Sequence, residues 1–137
     1  MRGDVFRRLV DARDLIEEDY AEPLGLEALA ARSDLSPFHF LREFRRAFGT
    51  TPGAYLTRVR IERARDLLAR GETSVTDACF EVGYASLGSF SAMFARQVGC
   101  APGEYRRRVR RMVQVPAQIA RLYIPCCFAR FFCPQQS

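Results

Sequence analysis

Apolar residues recur along this chain three and four positions apart, and the pattern breaks each time at glycine or proline. Val5, Phe6, Leu9, Ala12 and Ile16 mark a first helix that Asp4 can cap, and Glu22-Pro23-Leu24-Gly25 ends it. A short helix follows over Leu26–Arg32, then a tight turn at Ser33-Asp34-Leu35. Ser36 caps the next helix, with Pro37 at its first position, where a missing N–H does no harm. Phe40, Phe44, Ala47 and Phe48 form its apolar stripe and Gly49 stops it. Pro52 starts a longer helix to about Arg70, with Tyr55, Leu56, Val59, Ala64, Leu67 and Leu68 as its expected buried side and Gly71 behind it. Ser74-Val75-Thr76-Asp77 resembles a capping box and opens a helix to Val82, after which Gly83 turns the chain. Ser86 opens a further helix with Phe90, Phe94 and Val98 inward and Gly99 as its stop, and Pro102 begins a last basic helix. No alternation of period two stands out, so the expected fold is all-α.

One pattern is spelled twice. "SPFHFLREFRRAFGTTPGAY" at residues 36–55 matches "SLGSFSAMFARQVGCAPGEY" at residues 86–105 without gaps at Ser36/Ser86, Phe40/Phe90, Phe44/Phe94, Arg46/Arg96, Gly49/Gly99, Pro52/Pro102, Gly53/Gly103 and Tyr55/Tyr105. An internal match of fixed period marks a repeated supersecondary unit. Each unit is a short helix, a tight turn and a second helix, which is the helix-turn-helix arrangement. Asp34 stands in the first turn where Gly83 stands in the second, a place that often needs positive φ, and the second turn is one residue longer.

Composition and charge narrow the class. With 48% hydrophobic and 27% charged residues, the 137-residue chain has material for a packed core and is not of disordered type. No apolar run approaches the roughly 20 residues that span a bilayer, and the start "MRGDVFRR" has no apolar secretory segment, so no membrane association and a cytoplasmic, nucleoid-associated location are expected. Net charge is +5, but unevenly spread: residues 1–30 hold eight acids against four arginines, and residues 31–137 hold seventeen arginines against eight acids. Every basic residue is arginine, able to grip phosphate or guanine with a planar pair of N–H groups. A helix-turn-helix presents its second helix to the major groove of DNA. Two units on a helix of about 17 residues stand roughly 25 Å apart along that rod, so one chain is expected to reach two successive grooves as a monomer rather than a dimer.

At these residues the sequence resembles the DNA-binding domain of the AraC/XylS transcription regulators. The resemblance runs over about residues 5–110 and is carried by "LEALAARSDLSPFHFLREFRRAFGTTPGAYLTRVRIERARDLL" and "VTDACFEVGYASLGSFSAMFARQVGCAPGEYRR", with Gly83, Tyr84, Phe90, Phe94, Gly99, Pro102 and Tyr105 in place. It implies a domain over 1–111 of about seven helices: a first helix-turn-helix at about 26–48, a linker helix at 53–70 and a second helix-turn-helix at about 75–98. It further implies residues 36–48 and 86–98 as recognition helices, double-stranded DNA and RNA polymerase as partners, and no cofactor, metal or catalysis. Most relatives carry a separate ligand or dimerisation domain, usually upstream. With helix one starting near residue 4, the chain is expected to resemble the small stand-alone members, the alternative being a piece of a longer regulator whose ligand domain follows.

Phe38, Leu41, Arg42 and Arg45 lie opposite the apolar stripe of the first recognition helix. By the resemblance Arg42 matches a base-contacting position, suited to guanine O6 and N7, and Phe38 one that touches base methyls or sugars. His39 has no ligand-spaced partner and reads as a helix-start residue near phosphate. The second helix departs from the family: its face is Gly88, Ser91, Ala92 and Ala95, with Ala92 where a long polar residue is common. Leu87 or Ala92 can still sense thymine methyls, and Ser36, Ser86, Ser89 and Arg96 can hold phosphates, which position without specifying. Arg32 and Arg106 match family positions near the DNA backbone, and the basic residues at 106–111 read either as a phosphate grip or as a solvated helix end.

The tail at 112–137 lies outside the resemblance and has no assigned role. Leu122, Ile124, Phe128, Phe131 and Phe132 make it apolar, and Cys126, Cys127 and Cys133 raise a thiol- or metal-responsive sensor as an alternative, without histidine at zinc spacing. Five cysteines are an odd number, expected to be thiols rather than a disulfide framework. An enzymatic alternative, a methyl acceptor with a reactive zinc-bound cysteine, lacks the four-cysteine cluster it needs.

Overall fold

The computed structural model describes residues 2–113. The tail beyond, with Cys126, Cys127 and Cys133, lies outside the described residues. Seven helices follow in order: α1 (Arg2–Glu18), α2 (Leu26–Arg32), α3 (Pro37–Phe48), α4 (Pro52–Arg70), α5 (Val75–Glu81), α6 (Leu87–Val98) and α7 (Pro102–Val113), and no strand occurs among the described residues. The expected all-α fold is the observed one. The chain divides into two compact units within α4, the first ending at Arg60 and the second beginning at Ile61.

The same local chemistry builds both units. Ser36, Ser74 and Ser86 sit in extended backbone ahead of α3, α5 and α6, and each hydroxyl accepts the N–H three residues on, from His39, Asp77 and Ser89. These bonds satisfy amides that the first helical turn leaves without intrahelical partners. α2 and α5 end in matching loops. Leu35 N–H donates to Ala30 C=O and Asp34 N–H to Ala31 C=O; Tyr84 N–H donates to Cys79 C=O and Gly83 N–H to Phe80 C=O. That pair of bonds is the Schellman motif, which puts its penultimate residue in the left-handed region. Asp34 has φ 53° and Gly83 φ 94°. The residue after each closes over its own core, Leu35 among the first unit's apolar residues and Tyr84 with its ring 5.5 Å from Phe90.

Each core is centred on an aromatic ladder. In the first unit Phe40 meets Phe44 at 5.6 Å between centroids and Phe44 meets Tyr55 edge-on at 6.0 Å; in the second Phe90 meets Phe94 at 5.7 Å and Phe94 meets Tyr105 at 5.6 Å. All four phenylalanines are fully buried, each contributing roughly 1.5–3 kcal/mol through apolar area removed from water. Leu9, Ala12, Ile16, Leu29, Ala30, Leu56 and Val59 complete the first core. Ile61, Ala64, Leu68, Ala78, Cys79, Val82 and Cys100 are buried in the second unit. Arg60 pins the loop after α1, its Nε donating to Tyr20 C=O at 2.6 Å and Nη2 to Glu22 C=O at 2.9 Å.

Several residues differ from the pattern-based expectation. Asp4 lies inside α1, in its first turn, and accepts from Arg8 at 2.6 Å instead of capping the helix. Phe6 is largely exposed, its ring 6.4 Å from Phe48 at the margin of the core. Ala47 is solvent-facing, because the core line of α3 steps by four through Phe40, Phe44 and Phe48. Ile61 is buried although no stripe predicted it: it stands two positions after Val59, about 200° around a helix, and belongs to the other unit's core.

Candidate nucleic-acid interface

α3 is held by its cap, its aromatic stripe and the turn at Asp34, and those contacts leave its other side open. Phe38 is 72% exposed. A phenylalanine so placed loses most of the hydrophobic gain of burial. Arg42, one turn on, lays its guanidinium over that ring at 5.9 Å from the centroid, within cation–π range. Arg45 is exposed, and Leu41 and His39 are half-buried on the flanks. Arg32, the last residue of α2, is also exposed. Glu43 sits among these basic side chains, with Oε1 3.5 Å from Arg46 Nη1 and 3.9 Å from both Arg42 Nε and His39 Nε2. Glu43 was not among the residues expected at the site, although its spacing to His39 and Arg46, four back and three on, is the helical pairing distance.

α6 presents a different surface. Leu87, Gly88, Ser89 and Ala92 are exposed, Ser91 and Ala95 are half-buried, and Arg96 is exposed near the helix end. Ser86 caps the helix with its hydroxyl, Ser89 N–H donating at 3.3 Å. Its carbonyl accepts the buried Cys79 thiol at 3.7 Å, which ties α5 to the start of α6. Burial pushes that thiol above its ordinary pKa, so it stays protonated and poorly reactive.

Arg106 is placed otherwise than as an open phosphate ligand. It is half-buried, and its Nη2 donates to the Gly71 carbonyl at 3.5 Å; Arg110 Nη2 reaches the same oxygen at 3.2 Å. Two cations on one carbonyl behind the last turn of α4 complement the negative end of that helix. Arg108 pairs with Glu104, whereas Arg107 and Arg111 are exposed. In the first unit the Tyr55 hydroxyl donates to Glu17, and burial, followed by that bond, holds the phenol above its ordinary pKa. Among the described residues no group of three His, Cys, Asp or Glu side chains is placed to hold a metal ion, and no helix is long and apolar enough to cross a membrane.

Two capped helices set behind matched turns, each with an aromatic underside and an outward face free of core contacts, define a protein of the helix-turn-helix class. A family profile described as a helix-turn-helix domain matches residues 29–108. The RCS-specific transcriptional activator RclR of Escherichia coli is 42% identical over 87 residues, covering 64% of this chain and 31% of RclR. The activator RhaS of Escherichia fergusonii is 38% identical over 92 residues, 67% of this chain and 33% of its own length. Among solved structures, the DNA-binding domain of AdpA in complex with a target DNA superposes with a TM-score of 0.73 at 31% identity, over 76% of this chain and 94% of that domain. A probable AraC family regulator from Rhodopseudomonas palustris gives 0.69 at 30%, over 75% and 97%. The chain belongs to the AraC/XylS family of helix-turn-helix proteins. It spans about a third of the length of these curated relatives.

Proposed function

We propose that this protein is a sequence-specific DNA-binding transcription regulator whose α3 and α6 enter successive major grooves of a duplex, with one chain occupying the whole site. The observation that carries the reading is the outward face of α3, where Phe38 and Arg42 stand exposed and stacked while every other large aromatic of that helix is turned into the core. Arg42 is assigned to a guanine edge and Phe38 and Leu41 to base methyls, with Arg45 beside them. Arg32, Ser36, His39, Ser86, Ser89 and Arg96 are assigned to phosphates, and Leu87 and Ala92 to weak methyl contacts. Arg106 joins the phosphate set through whichever N–H groups its Gly71 contact leaves over. RclR and RhaS are named as transcriptional activators and the AdpA domain was solved on DNA, which supports duplex DNA as ligand; RNA polymerase as protein partner and a nucleoid location belong to the same proposal. No catalytic step belongs to this reading.

The test is a titration of a labelled duplex, selected by the protein from a random-sequence pool, over a series of salt concentrations. With about six to eight phosphates neutralised, log K should fall against log salt with a slope of roughly −5 to −7. A slope near zero overturns the reading.

A further inference from the structure

A carboxylate in the middle of a face built for a polyanion calls for an account. Glu43 is set low in the surface of α3, its side chain 20% exposed against 58% for Arg42 and 75% for Arg46. At that depth it cannot extend past the arginines to accept from a cytosine amino group, as a reading carboxylate does. What it does touch is the guanidinium of Arg46, the guanidinium of Arg42 and the imidazole of His39, all from its own helix. The contact to Arg42 is made at Nε, the inner nitrogen, which leaves the outer Nη1 and Nη2 pair outside it. That outer pair is the fork that grips guanine bidentately. The same guanidinium also lies over the Phe38 ring, 5.9 Å from its centroid.

We propose that Glu43 is a positioning residue for base recognition: with Phe38 it holds the Arg42 guanidinium in one orientation before DNA arrives, and it acts on DNA only through Arg42. The proposal rests on the DNA reading above and deepens it. Two effects of opposite sign follow. The carboxylate repels every phosphate, so it lowers affinity for DNA of any sequence. It also removes rotamer freedom from Arg42 ahead of binding, so less ordering remains for the specific complex to impose. Glu43 thus trades general affinity for discrimination.

The test compares Kd for two duplexes of equal length, one selected by wild-type protein from a random pool and one of random sequence. Glu43→Gln should tighten binding to the random duplex about three-fold, since a repelling charge is gone, and lower the selected-to-random ratio about five-fold, the loss of roughly 1 kcal/mol of pre-ordering. Glu43→Asp keeps the charge but withdraws it by one methylene; the ratio should fall as with Gln while random-duplex affinity stays at the wild-type value. In an Arg42→Ala background Glu43→Gln should leave the ratio unchanged, because there is no guanidinium left to position. A ratio that survives both Glu43 variants, or that falls as much with Arg42 absent, overturns the assignment. A purely structural role is overturned in turn by an unchanged thermal midpoint alongside tighter random-duplex binding. Wild-type protein that binds neither duplex overturns the DNA reading itself, and this assignment with it.

Discussion

Asp34 and Gly83 do the same job with different backbones to spare. Both close a Schellman turn with positive φ, a region that costs an ordinary L residue roughly 1–2 kcal/mol and a glycine nothing. Asp34→Gly should therefore raise stability by a few tenths to about 1 kcal/mol, the relief being partly offset by the greater freedom of glycine in the unfolded chain. The ion pair lost to Arg8, at 3.7 Å with the Asp34 carboxylate almost fully in solvent, counts for little. Gly83→Ala should lower stability by about 1–2 kcal/mol; urea midpoints of both variants check the pair. A second residue-scale effect concerns Tyr55, whose pKa lies above the ordinary 10.0, first from burial and then from its bond to Glu17. The fold thus favours the neutral phenol. Its contribution is complete below the unfolded pKa and is lost as pH climbs through the folded one. Urea resistance of the wild type should fall above about pH 10 more steeply than that of Tyr55→Phe, which should be less stable by about 1 kcal/mol at neutral pH for want of the hydrogen bond; equal slopes on the alkaline side would contradict this. At this scale the sequence was legible where the deciding contact is local. Ser36, Ser74 and Ser86 were readable as caps because a cap bonds three residues away. Arg106 was not, because a long charged side chain chooses partners in space and Arg106 finds Gly71 thirty-five positions back; Glu43 was open to reading, its partners His39 and Arg46 standing four back and three on.

α3 and α6 share an underside and differ on top. α3 exposes Phe38, Arg42 and Arg45, and α6 exposes Leu87, Gly88, Ser89 and Ala92. No side chain among the latter is long enough to carry a charged end into a groove. Arg42→Ala should cost about 1–3 kcal/mol on a selected site and relax preference at one or two base pairs. Ser91→Ala should change affinity by a few tenths, and Arg96→Ala should weaken all sequences alike and shallow the salt slope by about one. Binding measured against every single-base change across the site decides it: equal penalties under both helices would mean that α6 reads shape. Helix number and most ends were legible because glycine, proline or serine stands at or beside those boundaries; α1 is the exception, running from Arg2 to Glu18 with Asp4 inside its first turn. The buried side of α4 was legible only in part. A single stripe describes a helix packed on one core, whereas Val59 and Ile61 of α4 are buried in different units.

For the molecule as a whole, the repeat within one chain predicts stoichiometry. A duplex of about two helical turns should bind one chain, seen as a 1:1 complex by sedimentation or native mass, on a site without two-fold symmetry; a palindrome carrying two chains would contradict this. The acidic first 30 residues and the arginine-rich remainder were legible as a division of charge from composition alone. Which of those arginines stay free was not, since that depends on contacts such as Arg108 to Glu104 and Arg110 to Gly71. The paired aromatic ladders, Phe40–Phe44–Tyr55 and Phe90–Phe94–Tyr105, carry a consequence for how such a chain evolves. Folding is secured on the inner side of each helix and, under the proposed function, target choice lies on the outer, so selection can act on one without disturbing the other. Under that proposal a lineage can rewrite half of its site by drift on one helix face while the second half holds the old target, and the outer faces of α3 and α6 have already diverged where their undersides have not.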